Sequence, residues 1–232
     1  MKRLGVIGGM GAAASSLFYE KIISNTNAAK DQDHIPMVIL SDSQIPDRTA
    51  ALLGTKAMRE KVFKKLLKDA KTLKKADCTC MVMTCNTAHY FADKLEKKSG
   101  LKLYNMVRLA SKKAAELCKK AKNDKVMLLA TDGTIKTKVY QAELEKLGLK
   151  VVTPSAAVQK KVMHVIYDIV KAGKELKDSD WKLIDDAFKK SGAACGVLGC
   201  TELSIVKEKL GLSDKYIDAM DVLAKYCIEK LK

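Results

Sequence analysis

Short apolar runs alternate with amphipathic segments along the chain, and that alternation most narrows the folds open to it. Runs near 3–7, 37–41, 78–83, 102–106, 125–130, 149–153 and 194–198 have the length and apolar character of strands. Between and after them, helical periodicity covers about 12–27, 57–75, 87–98, 108–121, 136–147, 156–172, 179–190, 201–209 and 219–230. In "MREKVFKKLLKDAKTLKK", Met58, Val62, Phe63, Leu66, Leu67, Ala70 and Leu73 form one apolar stripe and the lysines occupy the opposite face. Strand followed by helix, repeated, implies the α/β class with mostly parallel sheets flanked by helices.

A longer echo divides the pattern in two. When Cys85 is aligned with Cys200, each follows an apolar run, each has a cysteine five positions upstream (Cys80, Cys195), and each has Lys-Leu nine and ten positions downstream. "LGVIGGMG" and "VMLLATDGT" are likewise strands that end in small-residue turns, and 74 residues separate Gly11 from Cys85 while 67 separate Gly133 from Cys200. We therefore expect two pseudo-symmetric lobes: residues 1–105 with 211–232 returning to them, and residues 106–210. In open α/β sheets ligands bind beyond the carboxyl ends of strands, so the expected active site is a cleft between the lobes with one cysteine on each side.

Composition narrows the partners. The 232 residues, 47% hydrophobic, suffice for two such lobes. The formal charge of +16 could suggest nucleic acid, but the lysines are spread along most helices, aromatics are only 5%, and no nucleic-acid-binding motif is present. The expectation is a lysine-rich solvated exterior, with no nucleic-acid partner. No apolar run approaches the roughly 18 residues of a membrane span, so no membrane partner is expected either. Seven cysteines, an odd number set mainly in apolar runs, favour reduced thiols and a cytoplasmic protein.

At a strand-to-helix junction a thiol can become a usable base, because free amides and the helix dipole stabilise its thiolate. The same amides, with the side chains of Asn86, Thr87 and Thr201, can hold a carboxylate. Inversion at a carbon bearing hydrogen needs a base on one face and an acid on the other, and a thiolate with a thiol meets that need. By residue type alone, however, buried cysteines at strand ends are common core residues. Cys78, Cys80, Cys85 and His89 superficially resemble a metal cluster, but strand alternation and helix onset turn them apart, and no metal is expected. His89 reads as a capping or supporting residue. Glu202 reads as a first-turn acid that could also orient a substrate ammonium. The "GGMG" turn lacks the G-x-G-x-x-G of a dinucleotide site, and Met10 is read as part of the site wall.

The stretches "GVIGGMG" (5–11), "QIPDRT" (44–49), "TCNTAH" (84–89), "LLATDGT" (128–134), "VIYDIVKAG" (165–173) and "LGCTE" (198–202) occur in the order and positions seen in the aspartate/glutamate racemase superfamily, which this chain resembles over nearly its whole length, most closely in the aspartate racemase branch. The resemblance implies racemisation without a cofactor by Cys85 and Cys200, with Cys200 serving the L- and Cys85 the D-enantiomer, and commonly a homodimer. It places Arg48, with neighbouring Thr49, and Lys171 at the distal carboxylate of a dicarboxylic substrate. By residue type alone, Arg48 reads as a loop-capping arginine and Lys171 as a helix C-terminal lysine before Gly173. The chain departs from the family pattern at Ala12 and Thr84, where proline is frequent, and at Ser41-Asp42-Ser43, where "NNP" is frequent. Aspartate is the expected substrate. Alternatives are racemisation of glutamate or other amino acids, and isomerisation or decarboxylation of small dicarboxylates. A thiol redox sensor or a basic nucleic-acid-binding protein would be a different class of answer.

Overall fold

The computed structural model describes residues 2–232, which divide into two compact units, the first running through Met106 and rejoined by Met220–Lys232, the second Val107–Ala219. The first unit is built on β1 (Leu4–Gly8), β2 (Met37–Ser41), β3 (Cys80–Met83) and β4 (Lys102–Leu103), parallel throughout in the order β2-β1-β3-β4. Its helices are α1 (Ala12–Asn25), α2 (Arg48–Leu53), α3 (Lys56–Lys75) and α4 (Ala92–Ser99). Every residue of β1 and β3 is buried, as expected of central strands covered on both faces. α3 starts where Thr55 accepts from the Met58 amide at 3.3 Å, and it buries Val62, Phe63, Leu66, Ala70 and Leu73. Leu73 packs so closely on β1 that a Cβ on Gly5 would lie 2.8 Å from its Cδ1. One member of that buried stripe is charged: Asp69 is 7% exposed.

The second unit repeats the plan, and its sheet places β5 (Lys125–Ala130), β6 (Lys150–Val152), β7 (Cys195–Gly199) and β8 (Tyr216–Asp218) in the order β6-β5-β7-β8, again all parallel. Its helices are α5 (Met106–Ala121), α6 (Asp132–Lys136), α7 (Val139–Glu145), α8 (Ala156–His164), α9 (Asp178–Ser191) and α10 (Thr201–Leu210). A last helix, α11 (Ala219–Leu231), returns the chain to the first unit. In both sheets the strand third in order begins with the upstream cysteine of the echo, Cys80 in β3 and Cys195 in β7.

Several sequence expectations are corrected. Residues 211–219, grouped with the first lobe, belong to the second unit, because β8 pairs with β7 through Gly196, Val197 and Leu198. Neither β8 nor α2 was expected; α2 starts where Asp47 Oδ1 accepts from the Ala50 amide at 2.6 Å. The helix read at 87–98 is a 3-10 turn over Thr87–Phe91 followed by α4. The one read at 136–147 breaks at Lys138, whose φ of 56° is left-handed. The one read at 156–172 continues beyond α8 as a π-helical segment, Val165–Val170, in which the Lys171 amide bonds Ile166 O at 3.0 Å.

Candidate active site

Cys85 lies two residues beyond β3 and is 6% exposed. The residue before it, Thr84, is fully buried, and its hydroxyl meets Ser15 Oγ at 2.8 Å. Ser15 also accepts from the Gly9 amide at 3.0 Å and donates to Gly11 O at 3.0 Å. Where the family pattern often has proline, this chain thus has a hydroxyl that ties the cysteine's strand to the glycine turn after β1. That turn needs glycine at position 9: φ is 81°, and a Cβ would lie 2.5 Å from the backbone of Asp42.

Beyond Cys85 the imidazole of His89 locks the peptide. Its Nδ1 lies 2.9 Å from Cys85 O, and the Met106 amide donates to its Nε2 at 3.1 Å. A carbonyl only accepts and an amide only donates, so the ring is the neutral tautomer carrying its hydrogen on Nδ1. His89 therefore holds backbone, and both ring nitrogens are engaged. The buried Asn86 and Thr87 follow Cys85 into a 3-10 turn only five residues long, so the α-helix dipole expected at this thiol is absent. Among the described residues no cluster of three His, Cys, Asp or Glu side chains is placed to hold a metal ion.

Arg48, at the first position of α2, is 8% exposed and donates to Met10 O at 2.6 Å, Ile45 O at 3.1 Å and Pro46 O at 3.2 Å. Its guanidinium braces the buried Met10 turn and the loop before α2. Thr49 is buried beside it in the first turn of that helix. The carboxylate of Asp42, which replaces a frequent asparagine, accepts from the Gln44 amide at 2.8 Å and pairs with Lys65 at 3.3 Å.

The second thiol has a different setting. Cys200 follows β7 directly and is the extended N-cap residue of α10, with φ −144° and ψ 136°. Cys200 is 5% exposed, and its Sγ donates to Glu202 Oε2 at 2.9 Å. The Lys171 ammonium holds Glu202 Oε1 at 2.6 Å, and the Thr201 hydroxyl donates to Oε2 at 3.4 Å. Burial above all, and then the Glu202 charge, push the Cys200 thiol well above its ordinary range, with Lys171 opposing. Helix-terminal amides do not overcome those two effects, and the resting group is a thiol. Glu202, read from sequence as a helix-start acid, is a direct partner of the cysteine.

Sequence reasoning missed the wall behind Cys200. Tyr140 on α7 is fully buried, and burial followed by the charges of Asp218 and Cys200 raises its phenol far above the usual range. Gly199 makes that approach possible, since a Cβ there would stand 3.1 Å from Tyr140 Cε2. Ser204 on α10 donates to Asp218 Oδ1 at 2.6 Å, fixing the end of β8. The only sequence signal for these partners was the glycine before the cysteine.

Comparison with known proteins agrees with this layout. The family model described as Asp/Glu/Hydantoin racemase matches residues 7–227. The broad specificity amino-acid racemase RacX of Bacillus subtilis is 22% identical over 228 residues, covering 96% of this chain and 95% of that protein. Among solved structures, the Picrophilus torridus aspartate racemase superposes with a TM-score of 0.79 at 28% identity, covering 100% of this chain and 94% of that one. An aspartate racemase homologue from Pyrococcus horikoshii gives 0.76 at 25% identity, covering 100% and 99%. With matched strands, turns and both cysteine motifs inside the region covered, this chain belongs to the Asp/Glu/Hydantoin racemase family.

Proposed function

We propose that the protein is a cofactor-independent, homodimeric amino-acid racemase of the cytoplasm that interconverts L- and D-aspartate by a two-thiol mechanism. Cys200 takes the α-proton of the L-enantiomer and Cys85 that of the D-enantiomer, and in the reverse direction each returns a proton to its own face. Asn86, Thr87 and Thr201 bind the α-carboxylate, where charge grows as the α-proton leaves. The observation that carries this reading is the repeat: two four-stranded parallel sheets of the same strand order, each delivering one buried cysteine just past the strand third in order. Inversion needs two proton carriers, and the repeated plan supplies one thiol from each unit. The likeness to an aspartate racemase at 28% identity supports the substrate.

A second reading, racemisation of a wider set of amino acids, is favoured by one specific feature. The two cations assigned to a distal carboxylate already have protein partners, Arg48 on three backbone carbonyls and Lys171 on Glu202. A dicarboxylate has to compete for them, which narrows its advantage over a neutral amino acid. Incubation with L-aspartate in deuterium oxide without added cofactor tests both readings, following α-deuterium incorporation and D-aspartate together. Both signals are expected. Inversion of alanine or glutamate but not aspartate would replace the substrate assignment, and no exchange with any amino acid would refute the racemase reading.

A further inference from the structure

The site around Cys200 contains a group that two-thiol chemistry does not by itself require. Glu202 is 3% exposed, an unusual position for a carboxylate, and its oxygens are occupied by Lys171, Thr201 and Cys200. The Lys171 ammonium lies on Oε1 at 2.6 Å and the Cys200 thiol donates to Oε2 at 2.9 Å, so the hydrogen between sulfur and oxygen belongs to sulfur. A thiol cannot take the α-proton of a substrate until its own proton has gone elsewhere.

We propose that Glu202 is the proton acceptor for Cys200, taking the thiol proton on Oε2 across 2.9 Å, while Lys171 fixes Oε1 at 2.6 Å and so aims the carboxylate. The inference rests on the two-thiol reading above. The S–H bond of Cys200 breaks as an O–H bond forms on Glu202. The thiolate then takes the α-proton of the L-enantiomer and becomes a thiol again. The carbanion accepts the proton of the Cys85 thiol on its other face, leaving Glu202 protonated and Cys85 as thiolate. Solvent exchange between Glu202 and Cys85 restores the starting state. No oxidant, reductant or co-reactant is consumed.

The backbone before Lys171 is consistent with a built device. An α-helix turns about 100° per residue, so the one-residue expansion of a π turn re-aims everything after it by about that much. The π-helical segment Val165–Val170 ends immediately before Lys171, and its Val165, Ile166 and Ile169 are buried. Lys171 is a positioning residue, acting on Cys200 through Glu202.

The test separates the two half-reactions. In a Cys85→Ala background, wash-out of α-deuterium from L-aspartate, with L-alanine and L-glutamate in parallel, reports Cys200 alone; in Cys200→Ala, wash-out from the D-enantiomers reports Cys85 alone. Adding Glu202→Gln is expected to lower the ratio of L- to D-exchange by about 100-fold, within the range of general-base catalysis. Iodoacetamide alkylation of Cys200 near neutral pH is expected to accelerate in the same variant, because loss of the carboxylate charge raises the thiolate fraction. Slower exchange with faster alkylation is the signature of a lost proton acceptor. Exchange that instead rises with alkylation would overturn the proposal, since Glu202 would then only tune the thiol, and an equal loss in both half-reactions would overturn it as structural damage. Exchange missing from both single-cysteine parents and from the unmodified protein would remove the two-thiol reading, and this inference with it.

Discussion

Asp69→Asn should stabilise the protein above neutral pH, against the usual expectation for a buried polar substitution. Asp69 is 7% exposed on the apolar face of α3, and its Oδ2 has no hydrogen-bond partner. Burial, reinforced by the Asp42 carboxylate and opposed by Lys65 and Lys68, raises its carboxyl from an ordinary 3.8 to about 6. A difference of about 2 units at 1.36 kcal/mol each is worth about 3 kcal/mol. Between those two values the unfolded chain has released this proton and the folded chain still holds it, so folding loses stability as pH rises through the window. The penalty is absent below about pH 3, about a fifth developed at pH 4 and complete above about pH 7. Asparagine never ionises and escapes the penalty, though its buried amide costs about 1–2 kcal/mol where it is imperfectly bonded. That cost is the same at both pH values, so the decisive quantity is the double difference: the stability change on substitution at pH 8 minus that at pH 4. We expect about 2.4 kcal/mol in favour of asparagine, measured by urea unfolding with circular dichroism at both pH values. A double difference under about 1 kcal/mol, or of opposite sign, would refute the argument that an under-bonded carboxylate is held beside Asp42.

Lys171→Met should slow alkylation of Cys200, the reverse of the effect of Glu202→Gln, because Lys171 is the cation that lowers this thiol against burial and Glu202. It leaves a buried carboxylate without its ammonium, and urea melts should show a loss of about 1–3 kcal/mol, scaled down from a fully buried pair because the Lys171 side chain is 22% exposed. Ser15→Ala removes the hydroxyl that serves Gly9, Gly11 and Thr84 and should cost about 2 kcal/mol in the same assay. A loss below about 0.5 kcal/mol would mean that this hydroxyl does not hold the glycine turn to the strand of Cys85.

Legibility in the sequence followed the range of the interaction that encodes each feature. β2 and β5 were read at their observed limits, Met37–Ser41 and Lys125–Ala130, because each is a mainly apolar run of strand length visible in a short window, at the sheet edge for β2 and covered for β5. α2, six residues, and β8, three residues, are too short for periodicity and form only against their neighbours. The breaks at Lys138 and in Val165–Val170 are backbone events within patterns that remain helical in period, so residue spacing could not reveal them. The two cysteines were found because a duplicated plan leaves an echo. Their partners were harder to read: Ser15 meets Thr84 across 69 residues, Lys171 meets Glu202 across 31, and Ser204 meets Asp218 across 14. No local pattern announces such pairs.

The duplication also shows what has diverged. At Cys85 the neighbouring imidazole is spent on backbone, binding Cys85 O and the Met106 amide, whereas at Cys200 a carboxylate lies on the sulfur itself. In the proposed reaction a resting Cys200 thiol is ready to deliver a proton, the act required from D to L, and must unload onto Glu202 before working from L to D. Enantiomers have equal free energy in solution, so kcat/KM must be the same in both directions whatever the enzyme provides. The unequal surroundings of the two thiols can therefore appear only in kcat and KM separately. The direction that begins at Cys200 differs from its reverse in both by the same factor, and Glu202→Gln has to change the two directions of kcat/KM by one common factor.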